Sequence, residues 1–345
     1  MAIDGLVKAG TETKWGFAEE ATFGTAIADN GTFIQLEGPI PTVDEGVISD
    51  VKTKSNGRRV ISDIDIFHTQ VGGLRTISFS DVIVRRKDLG HLLYAVHQSA
   101  VTQGLVGTGY QKAFTWTSTT TQPDFSASAG YFCTVGIYEP LAAKDRKFTS
   151  CILSDLTLSA DLTGDGRLRA SGTFITGFAS SAGATFSGTW AYNTQNYIQC
   201  NNPAKKLLGT PELVLYGFDI TYSNNAVRVG SNSTGGPETY FIGGGDTGLS
   251  VTGNLLVKYD TGTDDLIADS VAGTGRKFEF EVGTDETAGF FDIYLDKCIF
   301  GAVDKDYGDA RGQAVSLPFT AVHLTGAAMS VAQISDAVDN SWPNT

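Results

Sequence analysis

Two stretches of this 345-residue chain share one layout. The first, FTSCILSDLTLSADLTGDGRLRASGTFITGF, runs from Phe148 to Phe178. The second, FFDIYLDKCIFGAVDKDYGDARGQAVSLPFTAV, runs from Phe290 to Val322. Each holds an apolar strand, an Asp/Gly-rich turn, and a strand that starts after a glycine and ends near a phenylalanine. Gly tolerates left-handed backbone, and Asp bonds its own main chain, so such clusters close tight turns between strands. A hairpin of this kind present twice predicts a mainly β fold with an internal repeat.

The pass along the chain extends the pattern. In GLRTISFSDVIV, Ile77, Phe79 and Ile83 fall on one side and Thr76, Ser78 and Ser80 on the other, the period of a half-buried strand. Leu89, Leu92, Leu93 and Val96 then recur at helical spacing, predicting one amphipathic helix over Asp88–Gln98 with Asp88 as N-cap. Strands are expected at Thr32–Glu37, Tyr131–Tyr138, Thr149–Ala160 and Arg167–Thr176. Thr13–Ala26 reads as extended or irregular.

The second half repeats the order. A strand at Leu213–Tyr222 is followed by GLSVTGNLLVKY, where Leu249, Val251, Leu255, Val257 and Tyr259 alternate with polar residues. A helix over Asp264–Val271 follows, capped by Thr263 and closed by Gly273. Strands at Lys277–Val282, Phe290–Gly301 and Gln313–His323 complete the set. Leu74 maps onto Leu249 with an offset of 249 − 74 = 175, and Gly166 onto Gly312 with 312 − 166 = 146. The offsets differ by 175 − 146 = 29, which the unmatched segment Ala100–Gly130 accounts for. Two related domains are expected, residues 1–180 and 181–345. The small, polar stretch Ala179–Gly188 is their seam.

Charge narrows the function. Acidic groups number 38 against 25 basic ones, a net charge of −13 that repels nucleic-acid phosphates and anionic membranes. The opening MAIDGLVKAGTETKW has no signal-peptide pattern, and no window approaches the ~18–20 apolar residues of a membrane span. A soluble chain made in a cytoplasm is expected. Cys133, Cys151, Cys200 and Cys298 form no C-x-x-C pair and read as buried free thiols.

Motifs for catalysis are missing. His91 and His97 are six apart on the expected helix and cannot share a metal as an i, i+4 pair would. His68 and His323 stand apart from other ligands. DKDYGDARGQAV, from Asp304, begins like a calcium loop but has Val315 where the twelfth-position Glu belongs. No G-x-S-x-G, H-E-x-x-H or phosphate-binding loop occurs. IGGGDTG, Ile242–Gly248, leads into a strand, and the carboxylates of DIDIF, Asp63–Phe67, have no identifiable partner. No enzyme activity and no cofactor is expected.

WGFAEEATFGTA, Trp15–Ala26, resembles the opening of bacteriophage tail tube proteins, also called major tail proteins, which often carry a W-G-x-x-x-E-x-x-x-G-T-like segment. DITYSNNAVRV, Asp219–Val229, and GLSVTGNLLVKYD, Gly248–Asp260, are similar to that family's second half. The likeness covers most of the chain, apart from Ala100–Gly130 and the tail after Thr325. It implies tail-tube-like β-sandwich or barrel domains, each with one short flanking helix. It also implies a virion protein, made in the host cytoplasm, whose rings stack into the tube that conducts DNA during ejection. Its partners would be further copies of itself, the tail tip or terminator, and the tape-measure protein. DNA would pass without specific binding, and no membrane would be engaged.

By the same likeness, the polar arm Pro39–Gln70 and the loop Ala226–Gly245 are candidate ring-stacking elements, with Lys52, Lys54, Arg58, Arg59 and Arg228 as candidate contacts; a surface loop without structure is the alternative for the arm. Candidate acidic lumen residues are Asp155, Asp161 and Asp165, with Asp296, Asp304 and Asp306 as their second-copy counterparts. Tail tubes are usually six-fold with one domain per subunit, so a duplicated chain implies a trimeric, pseudo-hexameric ring. The competing reading is a carbohydrate- or receptor-binding β-sandwich of a decoration or baseplate protein, with Trp116, Trp190 and Tyr192 lining a sugar site.

Overall fold

The computed structural model describes residues 13–28, 33–45, 48–51, 66–69, 74–98, 102–106, 109–117, 123, 125–128, 130–138, 145–184, 190, 196–201, 203–208, 214–231, 236–243, 248–259, 261–282, 291–306, 314–323 and 330–336. Strands make up 57% of it, so the chain is mainly β. The first strands are β1 (Lys14–Glu19), β2 (Ile34–Gln35), β3 (Thr42–Asp44), β4 (Ile48–Val51), β5 (Ile66–Thr69) and β6 (Arg75–Ile83). Helix α1 (Arg86–His97) precedes β7 (Thr102–Val106), β8 (Gly109–Trp116), β9 (Cys133–Tyr138), β10 (Asp145–Asp161), β11 (Arg169–Thr176) and β12 (Ser181–Ala184). The second half holds β13 (Pro203–Leu208), β14 (Leu215–Ser223), β15 (Val227–Val229), β16 (Thr239–Phe241), β17 (Ser250–Lys258) and α2 (Thr261–Ala272). It ends with β18 (Arg276–Val282), β19 (Phe291–Phe300), β20 (Asp304–Asp306), β21 (Ala314–Ala321) and β22 (Ser330–Asp336).

All pairings are antiparallel. The central sheet runs β3–β6–β11–β10–β14–β17–β21, with β20 and the end of β19 on the far edge of β21. Beyond β19 lie β18 and β13 on one edge and β22, β8 and β7 on the other. Followed from neighbour to neighbour, these ladders branch but never return on themselves. The barrel alternative is therefore corrected: among the described residues the sheets are open. Two neighbour orders read alike. In chain order, β6, α1, β9, β10 and β11 assemble as β6–β11–β10–β9; β17, α2, β18, β19 and β21 assemble as β17–β21–β19–β18.

The 17-residue β10 serves two sheets. Its first part pairs with β9 and β12, and its last part with β11 and β14. Ser150, with φ of 46°, sits at the change, where the ladder to β9 slips between Phe148 and Cys151. A single extra residue bends a strand and raises its twist, which is how one strand leaves one sheet for another.

Several local expectations change. Thr13–Ala26 contains β1, whose alternation is hidden because Trp15, Gly16, Phe17 and Ala18 are all buried. In β6, Asp81 is a bulged residue with φ of 55°, so the inward phase passes from Phe79 to Val82 and Ile83 is only half-buried. Asp88 is the third residue of α1 and not its cap; its carboxylate accepts the Arg85 N–H at 3.1 Å. Within the expected seam, Ser181–Ala184 forms β12 on the edge of β10.

Nor is α1 a flanking helix. Leu89, Leu92, Leu93 and Val96 are buried as expected, but so are Asp88, Gly90, His91, Ala95 and His97. α1 packs against β10, β14, β8 and β22. The expected insert is thus part of the core. Phe114 and Trp116 of β8 are fully buried, and Trp116 Nε1 donates to the His97 carbonyl at 2.9 Å. Burying such rings contributes about 2–3 kcal/mol each. One apolar cluster reaches from Trp15 through Phe174, Ile220 and Leu255 to Ala332.

Candidate functional site

The inward residues of the central sheet are apolar, among them Phe79, Phe174, Leu158, Ile220, Leu255 and Leu317. Its other face is laid out in rows of directly opposed residues. One row runs Thr42, Ser78, Thr173, Asp155, Ser223 and Ser250. The next runs Ser171, Thr157, Thr221, Thr252 and Thr320. A third runs Arg169, Ser159, Asp219, Asn254 and Pro318, and a fourth Asp161, Gly217, Leu256 and Ser316.

Period-two alternation sends these side chains to one face, and β-branched Thr suits a pleated surface. Hydroxyls bridge neighbouring strands: Thr157 and Thr221 are 2.7 Å apart, Ser78 and Thr173 3.3 Å, and Ser316 donates to Asn254 Oδ1 at 2.7 Å. These four rows contain no lysine, and the next outward position of β17 is the exposed Lys258, opposite Ala314. The one arginine of the rows, Arg169, is bonded to Asp81 at 2.9 Å and Asp165 at 2.7 Å.

The carboxylates differ in setting. Burial pushes Asp155 up from its ordinary value, against hydrogen bonds from Ser154 and Thr173, and burial also raises Asp219. Asp165 is held below the usual range by the Arg167 N–H and then by Arg169. Asp161 shapes the turn, its Oδ1 accepting from Thr163 N and Oγ1 and from Gly164 N, while Gly166 supplies a φ of 65°. A basin of about 390 Å³ lies between Asp161, Tyr216, Asp219 and Asn254 on this face.

Of the sequence-derived lumen candidates, the sheet brings Asp155 and Asp161 onto this face, with Asp165 in the adjoining turn. Asp304 stands opposite Ser316 and Asp306 opposite Ala314. Asp296 lies apart on β19, accepting from the Tyr294 hydroxyl at 3.0 Å. Asp219 was missed, although its place between Phe218 and Ile220 in the alternating FDITY marks it as outward.

Lys52, Lys54, Arg58 and Arg59 lie outside the described residues, as do Asp63 and most of the calcium-like loop. The arm holding the four basic residues is bracketed by the β4–β5 hairpin. Arg228 turns back on its own hairpin, β15–β16, donating to the Gly230 and Gly236 carbonyls and the Ser231 hydroxyl. Exposed on that hairpin are Val227, Val229 and Phe241, while Tyr240 is buried and its hydroxyl accepts the Gly177 N–H at 2.8 Å.

The proposed sugar platform does not assemble. Trp116 is in the core, Trp190 is 8% exposed against Phe33, and Tyr192 lies outside the described residues. Burial lowers His91 to about 3 and His97 to about 4, so both are neutral core residues. The four cysteines are buried free thiols, with Cys200 and Cys298 pushed up to about 12 by burial. No group of His, Cys, Asp and Glu among the described residues could hold a metal ion, and none of their helices is long and apolar enough to cross a membrane.

The W-G-x-x-x-E-x-x-x-G-T segment is structural. Gly16 lets β1 lie against Ile34, where a Cβ would sit 2.3 Å from the carbonyl oxygen. Glu20 is 4% exposed and accepts from Thr134 Oγ1 and Ser150 Oγ, each at 2.6 Å, and from Ser150 N at 2.8 Å. Gly24, with φ of 83°, donates its N–H to Ser150 Oγ at 2.7 Å. The motif therefore ties the chain after β1 to the bend of β10. The chain matches no protein-family model and no curated protein.

Proposed function

We propose that this protein is the subunit of a bacteriophage tail tube, assembling into stacked rings around a channel for DNA. One observation carries the reading. A sheet built from both halves of the chain presents, among the described residues, rows rich in hydroxyls and carboxylates whose one arginine is bonded to Asp81 and Asp165. A DNA conduit needs such a wall: carboxylates repel phosphates, hydroxyls stay hydrated, and nothing grips the backbone as it slides. The net charge of −13 points the same way.

Internal duplication belongs to this reading. It is supported by the matching strand orders around α1 and α2. Lengths support it too: β6 and β17 have nine residues each, α1 and α2 twelve, and β11 and β21 eight. Their offsets are 250 − 75 = 175, 261 − 86 = 175 and 314 − 169 = 145. Two tube units per chain make three chains the equivalent of a six-fold ring. Within the virion its partners are neighbouring copies, the tail tip or terminator, and the tape-measure protein. Cryo-electron microscopy of the concentrated protein tests the reading. Rings of three chains with the Asp155–Asp219 face lining the hole are expected. Six identical chains per ring would overturn the duplication, and a lumen formed by another face would overturn the conduit wall.

A further inference from the structure

β9 opens on Cys133, and the last rung that β10 shares with β9 is at Cys151, so the two thiols stand directly opposite each other. Opposed residues of a ladder send their side chains to the same side. The packing agrees: Cys133 and Cys151 both belong to the large apolar cluster, whereas their chain neighbours Phe132 and Ile152 belong to a separate one. Cys133 Sγ donates to the Cys151 carbonyl at 3.6 Å, and Cys151 Sγ to the Phe148 carbonyl at 3.3 Å. The other two cysteines stand opposite no thiol among the described residues. Cys298 faces Arg276 and Ala321, and Cys200, outside the strands, donates its N–H to the Gly166 carbonyl at 2.6 Å.

This rung has the geometry of a bridge. Directly opposed residues of an antiparallel pair have Cα atoms about 4.5–5.5 Å apart, inside the range of about 4.4–6.8 Å that a disulfide spans. It also sits where a bond would matter. Ser150, one residue before Cys151, is the left-handed residue of the bend, and from Ile152 onward β10 pairs with β11 instead. Cys133 and Cys151 therefore flank the fork at which β10 leaves one sheet for the other.

We propose that Cys133 and Cys151 form a redox site, which a peroxide converts into a cross-strand disulfide that staples this fork. One thiol attacks the O–O bond of hydrogen peroxide and becomes a sulfenic acid as water leaves. The second thiol then attacks that sulfur and expels a second water. Two thiols are oxidised, one peroxide is reduced to two waters, and both thiol protons end in those waters. Burial pushes both thiols well above their ordinary range. Since the thiolate is the nucleophile, the reaction is slow and runs through local openings of the rung. Once made, the bond closes the loop from 133 to 151 and takes freedom from the unfolded chain. The site stands whether or not copies of the chain assemble.

Full-length protein, folded and reduced, is incubated with hydrogen peroxide and then denatured, and its remaining thiols are alkylated and counted by mass spectrometry. Two of the four cysteines should escape alkylation. A peptide linking Cys133 to Cys151 should appear, and dithiothreitol should return all the thiols. The oxidised protein should melt several degrees above the reduced one. Cys133→Ala and Cys151→Ala should each abolish the linked peptide and the gain in melting temperature. The wild-type peptide map decides the matter even where an alanine variant folds poorly. Four alkylatable thiols after peroxide, oxidation that stops at sulfinic acid, or a bridge reaching Cys200 or Cys298 would each overturn the site. A linked protein that melts no higher than the reduced one would overturn the staple.

Discussion

Glu20 accepts hydrogen bonds from both the main chain and the side chain of Ser150, a residue 130 positions away, at 2.8 and 2.6 Å. Ser150 is the left-handed residue at which β10 passes from one sheet to the other. A buried carboxylate thus holds the bend beyond which β10 enters the central sheet and brings Asp155, Thr157 and Ser159 to the polar face.

Removing that carboxylate should be costly. Glu20→Ala leaves the Ser150 N–H and the Ser150 and Thr134 hydroxyls without their acceptor, at an expected loss of about 3 kcal/mol or more. Glu20→Gln keeps one acceptor oxygen and should lose less. Urea unfolding measures both; an alanine variant as stable as wild type would mean that the bend is held elsewhere.

Glu19 should give a pH signature. Burial raises its carboxyl from an ordinary 4.5 to about 7, with Lys112 pulling it back. The folded state then binds this proton more tightly than the unfolded chain. The group's favourable contribution is complete below about pH 4.5 and is lost as pH rises through about 7. Glu19→Gln should match wild type in acid and gain in melting temperature on it across that window. A difference independent of pH would contradict the assignment.

Gly253 lies where a Cβ would stand 2.2 Å from the Asp219 carbonyl oxygen and 2.8 Å from the Phe319 ring. Gly172 meets the Asp155 carbonyl and Phe79 in the same way. Either glycine replaced by alanine must push strands apart beneath the polar face, at a cost of about 1–3 kcal/mol. Calorimetric melting points lowered by several degrees are expected, and unchanged ones would show that the sheet yields.

Charge reversal tests the face itself. Asp155→Lys combined with Asp219→Lys places cations in the middle of the hydroxyl rows, 155 and 219 standing on adjacent strands. Retention of DNA in a gel at moderate salt should appear in the variant and be absent from wild type. Equal behaviour of the two proteins would remove the electrostatic basis for a conduit wall.

The main strands and both helices were legible from one-dimensional patterns, because alternation and helical spacing record which side chains meet the core. The outward rows were legible too: Thr76, Ser78 and Ser80 stand out against Ile77 and Phe79 in the sequence alone. Where a strand is buried on both faces, as in KWGFAE, that record vanishes, since no water-facing side exists to be marked by polar residues. Asp81 hid differently, because a bulge shifts the phase of a strand without altering its composition.

By itself the sequence determined a β-rich, acidic chain with the same strand–helix–strand order in each half, since local periodicity and net charge need no third dimension. The tertiary structure decided which strands are neighbours, and so decided the site. Long-range pairing alone sets Asp155 of β10 across from Ser223 of β14 and turns the unmatched segment carrying Phe114 and Trp116 into a cover for α1. Pairing of that kind depends on register and on which edges remain unsatisfied once the core has closed, and neither is written in any local stretch of residues.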